Sequence, residues 1–266
     1  MLLLIAKIAV SAGIVLAVTA AVERLGPRIG GLIAVTPQLA VISLVFFTIE
    51  QGPAFAAESA VWNIPGICAT IAVYLGYLAA TRLVPAPRAA SIGAGVVLGS
   101  AGFALAVRLF ALVSLDLATA MSAAAVICGG IGWLVRRLPD AAIRRPVRAS
   151  TGLLAVRAGA SVVTVLAVTS LAEALGPRWS GLLVGFPVNS LPVMAILHAH
   201  YGRAVIKPFI RIFPVGAFGL CLFNLVAALG LEHLGLGLTI VLGYAVDITY
   251  LVAVARLSRP RVAPAY

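Results

Sequence analysis

Of the 266 residues, 62% are hydrophobic and only 10% charged, with a mean hydropathy of +1.14. An ordinary soluble domain is about half apolar and a quarter charged, so water is excluded as the main solvent and no stretch is left for a separate soluble domain. The formal charge of +11 invites a nucleic-acid reading. However, the arginines fall in short gaps between apolar runs, without interleaved aromatics, and read instead as loop charges that set membrane topology.

Runs of about 20 apolar residues, each able to cross about 30 Å of hydrocarbon, predict nine helices. Their unbroken apolarity argues against a barrel, whose strands alternate over about ten residues. The first, 2–22, carries Lys7 and ends in small residues that resemble a signal cleavage site; it lacks a basic start and has an internal counterpart, so it is read as a retained helix. The second, 29–49, holds Thr36, Pro37 and Gln38; the third, 58–81, holds Cys68. The fourth, 89–114, has Gly95 and Gly99 at a spacing that suits close helix packing. The fifth, 117–135, contains Cys128, and the sixth, 152–172, contains Arg157. The seventh, 179–199, is the richest in helix breakers and polar groups, with Gly185, Pro187, Asn189, Ser190 and Pro192. The eighth, 205–230, includes Arg211, Pro214, Cys221 and Asn224; the ninth, 234–256, includes Asp247, flanked by Gly243, Tyr244 and Tyr250. The three cysteines lack the close spacing of zinc or redox motifs and read as small buried hydrophobes.

Sliding the chain over itself by 150 positions gives a gapless match. Val15-Leu16-Ala17-Val18-Thr19 recurs as Val165-Leu166-Ala167-Val168-Thr169. Glu23, Leu25, Gly26, Pro27, Arg28, Pro37 and Gly52 then meet Glu173, Leu175, Gly176, Pro177, Arg178, Pro187 and Gly202. Shared apolar residues are cheap coincidences in such a chain, whereas a shared Glu, Leu-Gly-Pro-Arg and later Pro point to duplication. The fold expected is therefore all-α and membrane-integral: a four-helix repeat at 1–115, a connecting helix and basic loop at 116–150, and a second repeat at 151–266. One unmatched crossing between two even-numbered units turns the second over, as in inverted-repeat transporters.

Loop charge points the same way, because cytoplasmic loops collect Lys and Arg. Nine spans put Arg24, Arg28, Arg82, Arg88, the cluster from Arg136 to Arg148, Arg203, Lys207, Arg211 and Arg256 on one side. The opposite side keeps Arg108 and Arg178 and is acidic after the second span, through Glu50 and Glu58. This predicts an external amino terminus and a cytoplasmic carboxy terminus.

The segment Gly31-Leu32-Ile33-Ala34-Val35-Thr36-Pro37-Gln38-Leu39-Ala40, followed by Glu50-Gln51-Gly52 and Trp62-Asn63-Ile64-Pro65, resembles the GlpM-like family of small bacterial inner-membrane proteins. Members of that family look like a single unit of the kind doubled here, and the resemblance spans about half of each copy. The chain departs from the family in its duplication and in Thr36 where an aromatic is usual; Phe186 supplies one in the second copy. The resemblance implies an inner-membrane location and a link to glycerol-phosphate gene context and exopolysaccharide production, without a defined molecular activity.

Proline removes a helical hydrogen bond, and in hydrocarbon the freed groups need protein or trapped water. Breaks at matching positions of two repeats point to a midplane site, so Thr36, Pro37, Gln38, Pro187, Asn189 and Ser190 are candidate solute contacts; the alternative is a packing kink. Arg211 is a candidate for an anionic ligand. Asp247, the only acid deep in a span, is read as coupling solute movement to a proton or cation near the two proline breaks, with a packing role as the alternative. Lys7 and Arg157 read as residues that snorkel to the interface, with guiding an anion from each side as the alternative, and Glu23–Arg28 and Glu173–Arg178 as pairs across the Leu-Gly-Pro turn. His198 and His200, two apart, lie on different helical faces and do not form a metal motif. No catalytic set, cofactor or metal is expected. The leading reading is a secondary permease for a small solute, an anion among the options. The alternative is a non-transporting membrane partner in envelope polysaccharide or lipid-linked precursor assembly, with its arginine-rich face on anionic lipid. Partners expected are the solute, membrane lipid and a second copy of the chain as an open option; nucleic acid is not.

Overall fold

The computed structural model describes residues 5, 7–14, 17, 37–84, 87–137, 151–188 and 190–257. Its elements are all helical: α1 (7–14), α2 (Gln38–Gln51), α3 (Pro53–Leu83), α4 (Arg88–Phe110), α5 (Leu117–Val135), α6 (Thr151–Ser170), α7 (Ala172–Val184), α8 (Ser190–Tyr201), α9 (Ile206–Gly230) and α10 (Gly235–Leu257). A 3-10 turn at Arg203–Val205 precedes α9. Five of these helices, α3, α4, α5, α10 and the Ile210–Gly230 part of α9, are long and apolar enough to cross a membrane. The chain therefore has the helical, multi-pass character of a membrane protein.

The division into nine uniform spans needs correction. The run 179–199 is two helices, α7 and α8, separated at Gly185–Val188. Continuous apolarity did not reveal this, because Gly185 and Pro187 end the helical hydrogen bonding without lowering hydropathy. Described residues of the second run begin at Pro37, and α2 is only 14 residues long.

α3 sits at the centre. It is 31 residues long, starts with Pro53 at its first position, where a missing N–H costs nothing, and packs on α2, α4, α5, α7 and α9. In its apolar window 72% is buried, against 22% in α10, so α3 is a core helix and α10 a peripheral one. Leu83, Val97, Leu105, Val126 and Val241 are exposed, which suits hydrocarbon as the surrounding solvent. Gly95 and Gly99 of α4 lie against Tyr77 and Val73 of α3; a β-carbon at Gly99 would come within 2.7 Å of the Val73 carbonyl oxygen.

Gly52, before α3, and Gly202, before the 3-10 turn and α9, share an unusual backbone, with φ of 93° and ψ of 165° in one and φ of 78° and ψ of −178° in the other. This region is essentially reserved for glycine, which explains why glycine stands at both positions.

Candidate functional site

α2 starts directly after Pro37, and α8 starts at Ser190, three residues after Pro187. The N–H of Val41 donates to the Pro37 carbonyl at 2.9 Å and that of Leu191 to the Pro187 carbonyl at 3.0 Å, so the two helices open with the same bond at positions 150 apart. α7 closes with the N–H groups of Gly185 and Phe186 donating to Leu182 and Leu183 carbonyls. The Gly185 carbonyl that this turn frees accepts a hydrogen bond from Thr70 Oγ1 of α3 at 2.5 Å. The backbones come close enough for that because Gly66 and Gly185 face each other; a β-carbon on Gly66 would lie 2.6 Å from the Leu182 carbonyl oxygen.

One cavity of about 460 Å³ lies where these elements meet. α3 contributes Asn63, Ile67, Thr70 and Tyr74, a single stripe at helical spacing. The first turns of α2 and α8 border it through Gln38, Leu39, Ala40 and Ser190, with Pro37, Gly185, Phe186 and Pro187 beside them. α9 closes it with Ile212, Phe213, Gly216, Leu220 and Asn224. Six lining residues are polar (Gln38, Asn63, Thr70, Tyr74, Ser190 and Asn224), and none of the described lining residues is Asp, Glu, Lys, Arg or His.

The polar groups form short relays. Asn224 Nδ2 donates to the Leu220 carbonyl at 2.8 Å, and Asn63 Nδ2 donates to Asn224 Oδ1 at 3.0 Å. Among the described residues nothing donates to Asn63 Oδ1, although the residue is only 3% exposed. Across the cavity the Tyr74 hydroxyl and Ser190 Oγ lie 2.6 Å apart.

Of the residues picked out by sequence, Pro37, Gln38, Pro187 and Ser190 border this cavity. Thr36 and Asn189 lie outside the described residues. Arg211 precedes two lining residues but is not one itself. Asp247 is not at the proline breaks. It is fully buried on α10 against Gly219 of α9, with neither carboxylate oxygen hydrogen-bonded among the described residues. Neither Asp247 nor any other residue of α10 is among the lining residues of the cavity.

Two further readings are corrected. Lys7 does not snorkel: it is 5% exposed, pairs with Glu50 at 2.7 Å and lies over the Phe46 ring, so α1 is tied to the end of α2. Arg178 does not pair with the exposed Glu173. Its guanidinium sits 4.3 Å over the Trp62 ring and donates to the Val113 carbonyl at 2.5 Å. Glu23 and Arg28 lie outside the described residues, and nothing is described of the Arg157 side chain.

Sequence reading missed Thr70 and Tyr74, because a hydroxyl in an apolar run carries no signal until a partner helix is known. It also missed a convergence of Cys68, Cys128 and Cys221. Far apart in sequence, they meet from α3, α5 and α9 in one buried cluster. No group of three or more His, Cys, Asp or Glu among the described residues is arranged to hold a metal ion. His198 is buried with Nδ1 at 3.1 Å from the Tyr77 hydroxyl, while His200 points away to the Ile196 carbonyl.

No family model matches the chain, and neither a curated protein nor a solved structure gives a significant match.

Proposed function

We propose that this protein is a secondary permease, built from two inverted repeats, that carries a small solute through the cavity between α2, α3, α8 and α9. One observation carries the reading: a cavity is bordered by two helix starts that follow prolines 150 residues apart. A helix N-terminus carries about half a positive charge, and helix starts at a midplane cavity are how transporters receive electron-rich groups without formal cations. The solute favoured is therefore one with a carboxylate or comparable acceptor facing α2 and α8. The GlpM-like resemblance and the matched Gly52 and Gly202 backbones support the duplicated architecture; the Lys and Arg bias supports an external amino terminus in a bacterial inner membrane.

Asp247 serves as the coupling group in this reading, acting through α9. In the bundle interior a carboxylate without partners is stable only with a bound proton or cation. Binding or release there alters the contact of α10 with Gly219, on a helix that also lines the cavity.

Access to the cavity tests the proposal without a known substrate. With Cys68, Cys128 and Cys221 replaced by Ala, a cysteine at position 190 should react with a membrane-impermeant thiol reagent from the aqueous phase of proteoliposomes, and the face that reacts should depend on conformation. No reaction from either face would overturn transport and favour the membrane-partner role in envelope assembly.

A further inference from the structure

The seam between α10 and α9 distinguishes which ion Asp247 takes, a step that rests on the coupling role proposed for that residue. The buried residues of α10 are Thr239, Gly243, Asp247 and Leu251, one stripe at a spacing of four. On α9 this stripe meets Gly230, Phe223 and Gly219 in turn. A β-carbon at Gly230 would lie 2.7 Å from Thr239 Oγ1, one at Gly243 would lie 2.7 Å from the Phe223 ring, and one at Gly219 would run into Asp247 Oδ1. The two helices therefore touch closely at three levels, and the one acid of the stripe sits at the third.

A hard metal cation needs several oxygens around it, and transporters supply them to Na⁺ largely from unwound backbone. The seam offers no such set among the described residues. Asp247 and Gly219 both lie inside continuous helices, where carbonyls are spent on helical bonds; Pro214 frees only the carbonyl of Ile210, nine residues before Gly219. Thr239 Oγ1 is eight residues from Asp247, about 12 Å along the axis. The rings of Tyr244 and Tyr250 stand edge-on against Phe223 and Phe218.

Charged groups are equally remote. α10 packs on α9 and α2. On α9, Lys207 and Arg211 precede Gly219 by at least eight residues, about 12 Å. Glu50, the one titratable residue of α2, is taken by Lys7. The titratable neighbours of Asp247 are the Tyr244 and Tyr250 phenols, with the Cys128 and Cys221 thiols near Tyr250.

We infer that Asp247 is a proton site: its carboxyl is neutral where α10 lies on α9, and it gives up the proton when the seam opens at Gly219 and water reaches it. A carboxylic acid tolerates an apolar seam, whereas a lone carboxylate must move to water or find a partner. Docking of α10 thus takes up one proton. The ratio of docked to separated forms should fall about tenfold per pH unit wherever the separated form is ionised and the docked form is not.

The test follows α10 by distance measurement between spin labels at Leu83 and Leu257, exposed positions at the ends of α3 and α10. It uses the full chain in phosphatidylcholine nanodiscs, with Cys68, Cys128 and Cys221 replaced by Ala. One distance should hold at acid pH and a second should grow in as pH rises, while sodium or potassium at fixed pH changes neither. Asp247→Asn, which keeps the shape of the neutral acid, should hold the acid-pH distance throughout. If that variant fails to fold, the infrared C=O band of protonated carboxyl in the unaltered chain, shifted by isotope-labelled aspartate, decides by fading over the same pH range. A distance that ignores pH, the same pH response in the Asn variant, no such band, or a shift driven by sodium at constant pH would overturn the inference. The permease reading is judged separately: the proton response without thiol access to position 190 keeps the proton site and removes transport. Thiol access without the proton response keeps a permease and removes Asp247 as its proton site.

Discussion

Two buried acidic sites show how differently this bundle treats charge. Glu50 ends α2 within 2.7 Å of Lys7, with the Phe46 ring beneath the ammonium. Asp247 is more deeply buried, yet neither of its oxygens finds a donor, and its neighbours are Gly219 and the tyrosines at 244 and 250. A paired charge in low dielectric holds elements together because losing one partner strands the other. An unpaired one stabilises nothing and persists where its titration or ion binding has a use. The contrast assigns the first site to architecture and makes the second the place where the proposed coupling role is tested.

The largest effect that would break this comparison is at the ion pair. Glu50→Ala strands Lys7 and should cost about 3–5 kcal/mol of stability, read as a large fall in the thermal unfolding temperature in detergent. Adding Lys7→Met should recover most of the loss. Equal damage from the double variant would show that the pair matters by packing and not by charge.

Next is the contact that gives Asp247 its room. A β-carbon at Gly219 would run into Asp247 Oδ1 and approach the Tyr250 ring at 3.1 Å. Gly219→Ala should therefore cost about 1–3 kcal/mol by overpacking, measured by the same unfolding assay. A neutral outcome would mean that α10 slides on α9 freely.

A smaller effect is expected at an exposed acid that is partnered. Asp116 caps α5, its Oδ1 accepting from the Thr119 N–H at 2.7 Å, and those bonds from Thr119 hold its carboxyl below the ordinary 3.8. Because the folded value is depressed, the cap stabilises at neutral pH and its contribution is lost as pH falls below 3.8 and through the folded value. Asp116→Ala should remove that acid-side loss and slightly lower the unfolding temperature at pH 7.

No stability loss is expected from Asp247→Asn, which keeps the shape and discards the charge. Gradient-driven accumulation of a transported solute in proteoliposomes should disappear while exchange and folding persist. Retained accumulation, or an unfolding temperature lowered by several degrees, would make Asp247 a packing residue.

Much of the architecture was legible in the sequence because hydrocarbon imposes simple rules. Apolar runs located α3, α4, α5, α9 and α10, and the prolines at 37 and 187 marked where α2 and α8 start. The split of the seventh run was half legible: its breakers were visible, but hydropathy kept it one span. Lys7 misled because an isolated lysine near a helix end reads as snorkelling until its partner, 43 residues away, is seen.

What the sequence determined by itself is the solvent, the helical class, the breaks and the 150-residue internal match, since each rests on local composition or on spacing along the chain. The tertiary structure alone decided that Asn63, Thr70, Tyr74 and Asn224 share a cavity, that three distant cysteines meet, and that Asp247 packs against Gly219 of α9 and does not line that cavity. Those outcomes depend on which face each helix turns toward its neighbours. In a chain where nearly every face is apolar, that choice is made by close backbone approach at Gly66, Gly185 and Gly219 and by a few buried hydrogen bonds, neither of which leaves a periodic trace in the sequence.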